Sequence, residues 1–256
     1  MRALPRRSRA TPSGAQATAR APRRPRGWNA AVAASAAIFV AVGLAVGISW
    51  LVSHHEGTSK FYLPGPVRQI TLHLASGDAV VVPSGSTAVE VRRTDNYAFG
   101  HRAREHRSYR DGALTVTSSC PRIVVGSCSA SYEVAAPETA TVDVQTTSGK
   151  VRLDGFRGSA NVRTGSGSVV AAAYCGFGLS AVSGSGNLHV AAACAPQRLQ
   201  LHTGSGDIVA LVPPGRYRIQ ASGGHRRVTG VTSDPSAPFT LDVHSGSGGV
   251  TIGGGL

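Results

Sequence analysis

Three stretches decide the fold: Asn161-Val-Arg-Thr-Gly-Ser-Gly167-Ser-Val-Val-Ala171, Ser180-Ala-Val-Ser-Gly-Ser-Gly186-Asn-Leu-His-Val190 and Gln200-Leu-His-Thr-Gly-Ser-Gly206-Asp-Ile-Val-Ala210. Their marker glycines Gly167, Gly186 and Gly206 lie 19 and 20 residues apart. Self-similarity at such a period is the mark of a repeat architecture. Working outward, the same pattern recurs before them as Val142-Asp-Val-Gln-Thr-Thr-Ser-Gly149-Lys-Val-Arg-Leu153, and after them as Asp242-Val-His-Ser-Gly-Ser-Gly248-Gly-Val-Thr-Ile252. A degraded copy, Arg218-Ile-Gln-Ala-Ser-Gly-Gly224-His-Arg-Arg-Val228, stands between, and an early relative, Thr71-Leu-His-Leu-Ala-Ser-Gly77-Asp-Ala-Val-Val81, opens the series.

Within each copy the residues alternate. The fifth and seventh before the marker glycine are apolar, as in Val142 with Val144, Ala160 with Val162 and Leu199 with Leu201. The residue between them is polar throughout: Asp143, Asn161, Ser180, Gln200, Arg218 and Asp242. A period of two with one apolar face is a half-buried strand. Gly-Ser-Gly suits a sharp corner with unusual backbone angles. A second short strand follows, with core positions two and four past the glycine (Val151 and Leu153, Val169 and Ala171, Leu188 and Val190). The copy around Gly224 places Arg226 on a core column, which predicts a bulged rung.

Two strands and two turns per copy fit either a β-solenoid coil or an antiparallel sandwich. Cysteine spacing favours the solenoid. Cys175 and Cys194 each follow their marker glycine by eight residues. Stacked coils put equivalent residues about 4.8 Å apart, inside the Cα window that a disulfide requires. A Cys175–Cys194 bridge between adjacent coils is therefore expected. Cys120 and Cys128 form the second expected bridge, around a loop holding Pro121 and Gly126. No Cys-x-x-Cys knuckle supports a metal site instead, and no cofactor is expected.

These Ser-Gly-x-Val-x-Leu repeats resemble a bacterial β-strand-repeat domain of uncharacterised function that carries an adhesin label. So does the stretch from Asp111-Gly-Ala-Leu-Thr-Val116 through Cys120 and Cys128 to Tyr132-Glu-Val-Ala-Ala-Pro137. The resemblance covers roughly residues 66–256. It implies an all-β domain of β-solenoid, right-handed β-helix-like repeats with ~18–20 residues per coil, and a surface or envelope location. It carries over no catalytic residue.

Charge and hydropathy divide the chain. Of the net +13, eight arginines (Arg2, Arg6, Arg7, Arg9, Arg20, Arg23, Arg24 and Arg26) fall within residues 1–52, which hold no acid. From Ala30 to Val52 run 23 uncharged residues, long enough as a helix (about 34 Å) to cross a bilayer core of about 30 Å. Trp28 and Trp50 stand at its two ends, where indoles favour the headgroup zone. The positive-inside rule then predicts a cytoplasmic N-terminus and an extracytoplasmic C-terminal domain. The run is too long, and its end too bulky, for a cleaved signal peptide. The expected order is a basic disordered tail at 1–27, one transmembrane α-helix at 28–53, a spacer at 54–65 and the β-repeat domain at 66–256.

No catalytic constellation emerges. In an outward column of the repeats, Asp143 and Asp242 stand five copies apart, about 24 Å, too far for paired glycosidase carboxylates. Asp78 and Asp207 are expected to bond their own turns. Lys150, Ser168, Asn187 and Gly249 at the equivalent positions rule out a calcium ladder. The stretch 92–110, with six arginines (Arg92, Arg93, Arg102, Arg104, Arg107 and Arg110), reads as a dock for an anionic polymer or lipid headgroup. Its extracytoplasmic position argues against nucleic acid. The reading is a membrane-anchored, non-enzymatic binding, adhesion or scaffolding module, with the membrane, an anionic envelope polymer or another envelope protein as partner. A stress-sensing or regulatory partner of a membrane protein is the alternative, and a carbohydrate-active β-helix enzyme a weaker one.

Overall fold

A computed structural model describes residues 26–99, 101–122 and 127–255, with backbone alone at 26–33 and 50–54. The chain divides into two compact units, 1–48 and 49–256. Helix α1 (Arg26–Ser53) contains the whole uncharged run and starts two residues earlier than expected. Its described side chains, 34–49, are exposed on every side, Ile38, Phe39 and Val46 among them. Among the described residues no helix is long and apolar enough to cross a membrane. The tail up to residue 25, the side chains of Trp28 and Trp50, and Gly126 lie outside the described residues.

The second unit is all β. In chain order it holds β1 (His54–Leu63), β2 (Gln69–Leu74), β3 (Ala79–Ser84), β4 (Val89–Ala98), β5 (Arg104–Arg110), β6 (Ala113–Ser119) and β7 (Cys128–Pro137). The repeats follow as β8 (Thr141–Thr146), β9 (Val151–Asp154), β10 (Ala160–Thr164), β11 (Val169–Tyr174), β12 (Gly178–Ser183), β13 (Leu188–Ala192), β14 (Arg198–Thr203) and β15 (Ile208–Val212). The chain closes with β16 (Arg216–Ser222), β17 (His225–Thr229), β18 (Thr232–Ser233), β19 (Thr240–Ser245) and β20 (Gly249–Gly254). Two ten-stranded sheets result. The first runs β1-β4-β7-β3-β9-β11-β13-β15-β20-β17 and the second β18-β16-β19-β14-β12-β10-β8-β2-β6-β5. Each rung gives one strand to each sheet. The repeats pair in parallel, with Val144, Val162, Ala181 and Leu201 in one column, and the register shifts between Ala171 and Tyr174 where β11 meets β13. The β-helix-like reading holds, and the sandwich is excluded. Antiparallel pairing is confined to β1, β4 and β5 at one end. Residues 54–63, expected within a spacer, are strand β1, hydrogen-bonded along their length to β4.

The apolar columns fill the space between the sheets. Val142, Val144, Leu199, Leu201, Val151, Leu153, Leu188 and Val190 are all buried, as the alternation predicts. Tyr132, Tyr174, Tyr217 and Phe156 are the largest fully buried side chains. Tyr174 fills a return turn, where its hydroxyl bonds the Gly178 carbonyl at 2.6 Å.

The corners impose the strictest demand. A Cβ at Gly167 would overlap the carbonyl oxygen of Gly149 below it, and one at Gly186 would overlap that of Gly167. Neither glycine has a positive φ; only Gly77 and Gly149 among the marker glycines do. The expected unusual backbone angles are therefore not what most corners need. They need glycine because the next rung's backbone lies against them. At Gly167, Gly186, Gly206 and Gly248 a buried hydroxyl three residues before the glycine closes the corner. Gly186 N–H donates to Ser183 Oγ at 2.7 Å, and that hydroxyl donates to the Gly167 carbonyl at 2.9 Å. Thr203 repeats the relay between Gly206 and Gly186, and Ser245 between Gly248 and Gly206. Asp78 and Asp207, expected to bond their own turns, instead accept from the adjacent rung, from Lys150 N–H at 2.8 Å and Gly249 N–H at 2.7 Å.

Chain order and stacking order differ at both ends. The last rung, β19–β20, sits directly on β14–β15, and the degraded copy β16–β17 stacks outside it. Val250–Gly254 is therefore an interior strand, not an exposed final coil. The rung carrying Arg226 is not bulged, since His225 to Thr229 pair evenly with Gly249 to Gly253. It is terminal, so Arg226 on its core column faces solvent. At the other end β6–β7 stacks outside β2–β3.

Two outcomes test this packing. Gly186→Ala should cost roughly 1–3 kcal/mol or more by forcing adjacent backbones apart. Gly178→Ala, whose nearest neighbour would be the Arg198 carbonyl at 3.7 Å, should leave the thermal midpoint almost unchanged. A charged side chain on an edge strand hinders edge-to-edge pairing. Arg226→Val should accordingly raise the oligomer fraction of detergent-solubilised chain in sedimentation velocity.

Candidate functional site

The arginine stretch lies on β4, the following turn and β5, and the alternation of β4 sorts its members. Val89, Val91, Arg93 and Asp95 point into the core, so Arg93 is 6% exposed and Asp95 fully buried. Arg93 bonds Asp95, Glu105 and the Ala103 carbonyl. Arg102 Nε donates to Asp95 at 2.8 Å, and Arg107 pairs with Glu105 while its guanidinium lies 3.8 Å from the Phe61 ring centroid. Tyr132 completes the group by donating to Glu105 at 2.9 Å. Burial raises its phenol above the ordinary range, which keeps the proton available. Two carboxylates and three guanidiniums thus close the N-terminal end of the core.

Of the six arginines read as a dock, Arg93, Arg102 and Arg107 hold this cluster and Arg92 pairs with Glu133 at 3.5 Å. Arg104 and Arg110 stay exposed on β5 without an ion pair among the described residues. The clustered carboxylates Asp95 and Glu105, which sequence reasoning missed, are neutralised by arginine and do not form an acid–base pair facing a cleft. The in-out alternation of β4 was the available signal. Beside this end, Cys120–Cys128 (Cα–Cα 5.9 Å) bridges the β6–β7 corner, where no Gly-Ser-Gly stands. Cys175–Cys194 (Cα–Cα 4.7 Å) ties successive rungs.

The outer flank of the second sheet presents polar side chains in register. One outward column runs Thr115, Thr71, Asp143, Asn161, Ser180, Gln200, Asp242 and Gln220, a second Thr117, His73, Gln145, Arg163, Val182, His202, His244 and Ser222. Asp143 and Asp242 are four strand intervals apart, not five, because β16 stacks outside β19. That is still about 19 Å. His202 Nε2 lies 3.2 Å from Asp242, and His244 Nδ1 bonds Ser222, so the imidazoles form no relay to a single nucleophile. Among the described residues no group of three or more His, Cys, Asp or Glu is placed to hold a metal ion. Two depressions mark the flank. One of about 430 Å³ is lined by His73, Thr117, Gln145, Arg163 and Val182, and one of about 200 Å³ by Asn161, Ser180, Arg198 and Gln200.

A family profile spans this rung stack, matching residues 70–252 under the description Toastrack DUF4097. The chain belongs to the Toastrack DUF4097 family. Solved structures similar to this toastrack domain include a "putative adhesin" from Bacteroides fragilis, with 12% identity, a TM-score of 0.49, and coverage of 78% of this chain and 97% of that one. A "putative cell adhesion protein" from Clostridium sporogenes shows 11% identity, a TM-score of 0.43, and coverage of 79% and 100%. A "Putative lipid binding protein" from Parabacteroides distasonis shows 9% identity, a TM-score of 0.38, and coverage of 78% and 97%. No curated protein matches the chain.

The ionic cluster makes a direct prediction for the toastrack end. Arg93→Met removes the partner of a buried carboxylate, and breaking such a pair costs about 3–5 kcal/mol. Arg110→Met, on the same stretch but exposed, should change the denaturation midpoint little.

Proposed function

We propose that this toastrack protein is a membrane-anchored, extracytoplasmic, non-enzymatic module that binds or scaffolds an extended component of the cell envelope. The observation that carries the reading is the outer flank of the second sheet. Eight strands in continuous parallel register, from β6 to β16, present polar side chains at one repeated spacing. A rigid ladder of that kind suits a ligand that is itself repetitive. The buried carboxylates are tied to arginines and the exposed ones stand apart, so the flank offers contacts rather than acid–base chemistry.

Location is supported by independent features. Two disulfides fit an oxidising compartment. The apolar side chains of α1 are exposed all round, and a helix apolar on every face requires an apolar environment. With arginines preceding it, α1 would anchor the domain outside and leave the N-terminus in the cytoplasm. The arginine dock narrows to Arg104 and Arg110, at the edge of the second sheet and without an ion pair among the described residues.

Cosedimentation of the detergent-solubilised full chain with isolated envelope fractions, at low and high salt, tests the proposal. Binding is expected, with a salt-sensitive component reduced by Arg104→Ala with Arg110→Ala. No binding at either salt would overturn the binding-module reading.

A further inference from the structure

We propose that the two depressions on the second sheet form one elongated site for an acidic saccharide, in which Arg163 and Arg198 each take a carboxylate. This rests on the binding-module reading and names its ligand class. Arginines on the two flanks differ in their partners. On the first sheet Arg152 pairs with Asp154 at 3.0 Å and Arg92 with Glu133 at 3.5 Å, so those charges are already answered. On the second sheet Arg163 and Arg198 are exposed, and neither carries an ion pair among the described residues. Each lines a different depression. An unpaired guanidinium presents a planar fork of donors that matches a carboxylate in two parallel hydrogen bonds.

The rest of the lining suits a sugar. Gln145, Asn161 and Gln200 supply amides, Thr117 and Ser180 supply hydroxyls, and His73 supplies an imidazole. These groups both donate and accept, as ring hydroxyls require. Asp143 stands beside Asn161 and Gln145, accepting from Gln145 Nε2 at 3.3 Å, and its free lone pairs accept from hydroxyls. No Trp, Tyr or Phe is among the described lining residues. Without an aromatic platform, affinity must come from polar and charged contacts, which selects an acidic saccharide over a neutral one.

The spacing selects a chain over a single unit. Arg198 lies two strands from Arg163 and level with the residue before Ala160, so the two are roughly 16 Å apart on the diagonal. One monosaccharide cannot reach both. The strands that carry and separate them, β10, β12 and β14, pair without a register shift, so the two backbone positions are held at a fixed separation.

Titration calorimetry of the full chain in detergent tests the site with three probes: oligogalacturonate, its uncharged methyl ester, and inorganic polyphosphate. Oligogalacturonate should bind. Arg163→Gln and Arg198→Gln should each weaken it roughly tenfold or more, whereas Arg104→Gln should not. Equal binding of the methyl ester would overturn the role of the carboxylates. Polyphosphate binding with the same residue dependence would overturn the saccharide assignment. Failure of oligogalacturonate to bind, or binding indifferent to both substitutions, would overturn the site. Envelope cosedimentation of the Arg163→Gln, Arg198→Gln variant separates the two readings. Full retention there sinks the site alone, while absence of binding by the unaltered chain sinks the module.

Discussion

The structure depends on how closely one corner can approach the next. A parallel rung stack places equivalent residues about 4.8 Å apart, and at the corners this brings each marker glycine against the carbonyl beneath it. A side chain at that point would part the rungs and break ladder hydrogen bonds in both sheets. Glycine removes the obstruction, and the buried Ser or Thr three residues earlier satisfies the backbone groups left there. Ser183, Thr203 and Ser245 each accept from their own corner and donate to the one below. Such buried polar groups stabilise only when fully paired. Here they are paired in series, which locks rung to rung in a single register.

The order of the rungs departs from the order of the chain at the degraded copy. The degraded copy has Gly223-Gly224 in place of the four-residue corner and Ala221 beside Val243, so it lacks the inward hydroxyl. It rests on a complete corner, through Gly224 N–H to the Gly248 carbonyl at 2.9 Å. The complete copy around Gly248 stacks on Gly206, 42 residues away in sequence, and the degraded one lies outside it. The other end meets the same requirement differently. There a disulfide stands at the β6–β7 corner, and the Arg93, Asp95 and Glu105 cluster covers the core. Both ends of the β-stack are thus finished with charge, which discourages pairing with further strands.

Much of this was legible in the sequence. The apolar columns could be read residue by residue because a strand buried on one face must alternate. The Cys175–Cys194 bridge followed from equal offsets to two marker glycines. Rung order was not legible, because each copy specifies its own strands and corner but not which neighbour it meets. Arg226 looked like an error within the stack until its rung proved terminal. Which arginines of the stretch 92–110 turn inward was hidden for a similar reason. Composition counts charges without saying where they point, and the alternation Val89, Val91, Arg93, Asp95 carries that information only once β4 is known to be a strand. The hydroxyl column at Thr164, Ser183, Thr203 and Ser245 was present in every strong copy, and its meaning appears only when the copies are stacked.

On the second sheet the same regularity yields a flank whose polar side chains recur at a fixed interval, a surface that follows from the corners rather than from any single residue. The most direct test of the account is cysteine cross-linking of the outward column across the reordered rungs. Gln200 pairs with Asp242, not with Arg218. Gln200→Cys with Asp242→Cys should form a disulfide on mild oxidation, and Gln200→Cys with Arg218→Cys should remain reduced. The opposite pattern would show that rungs stack in chain order, contradicting the account.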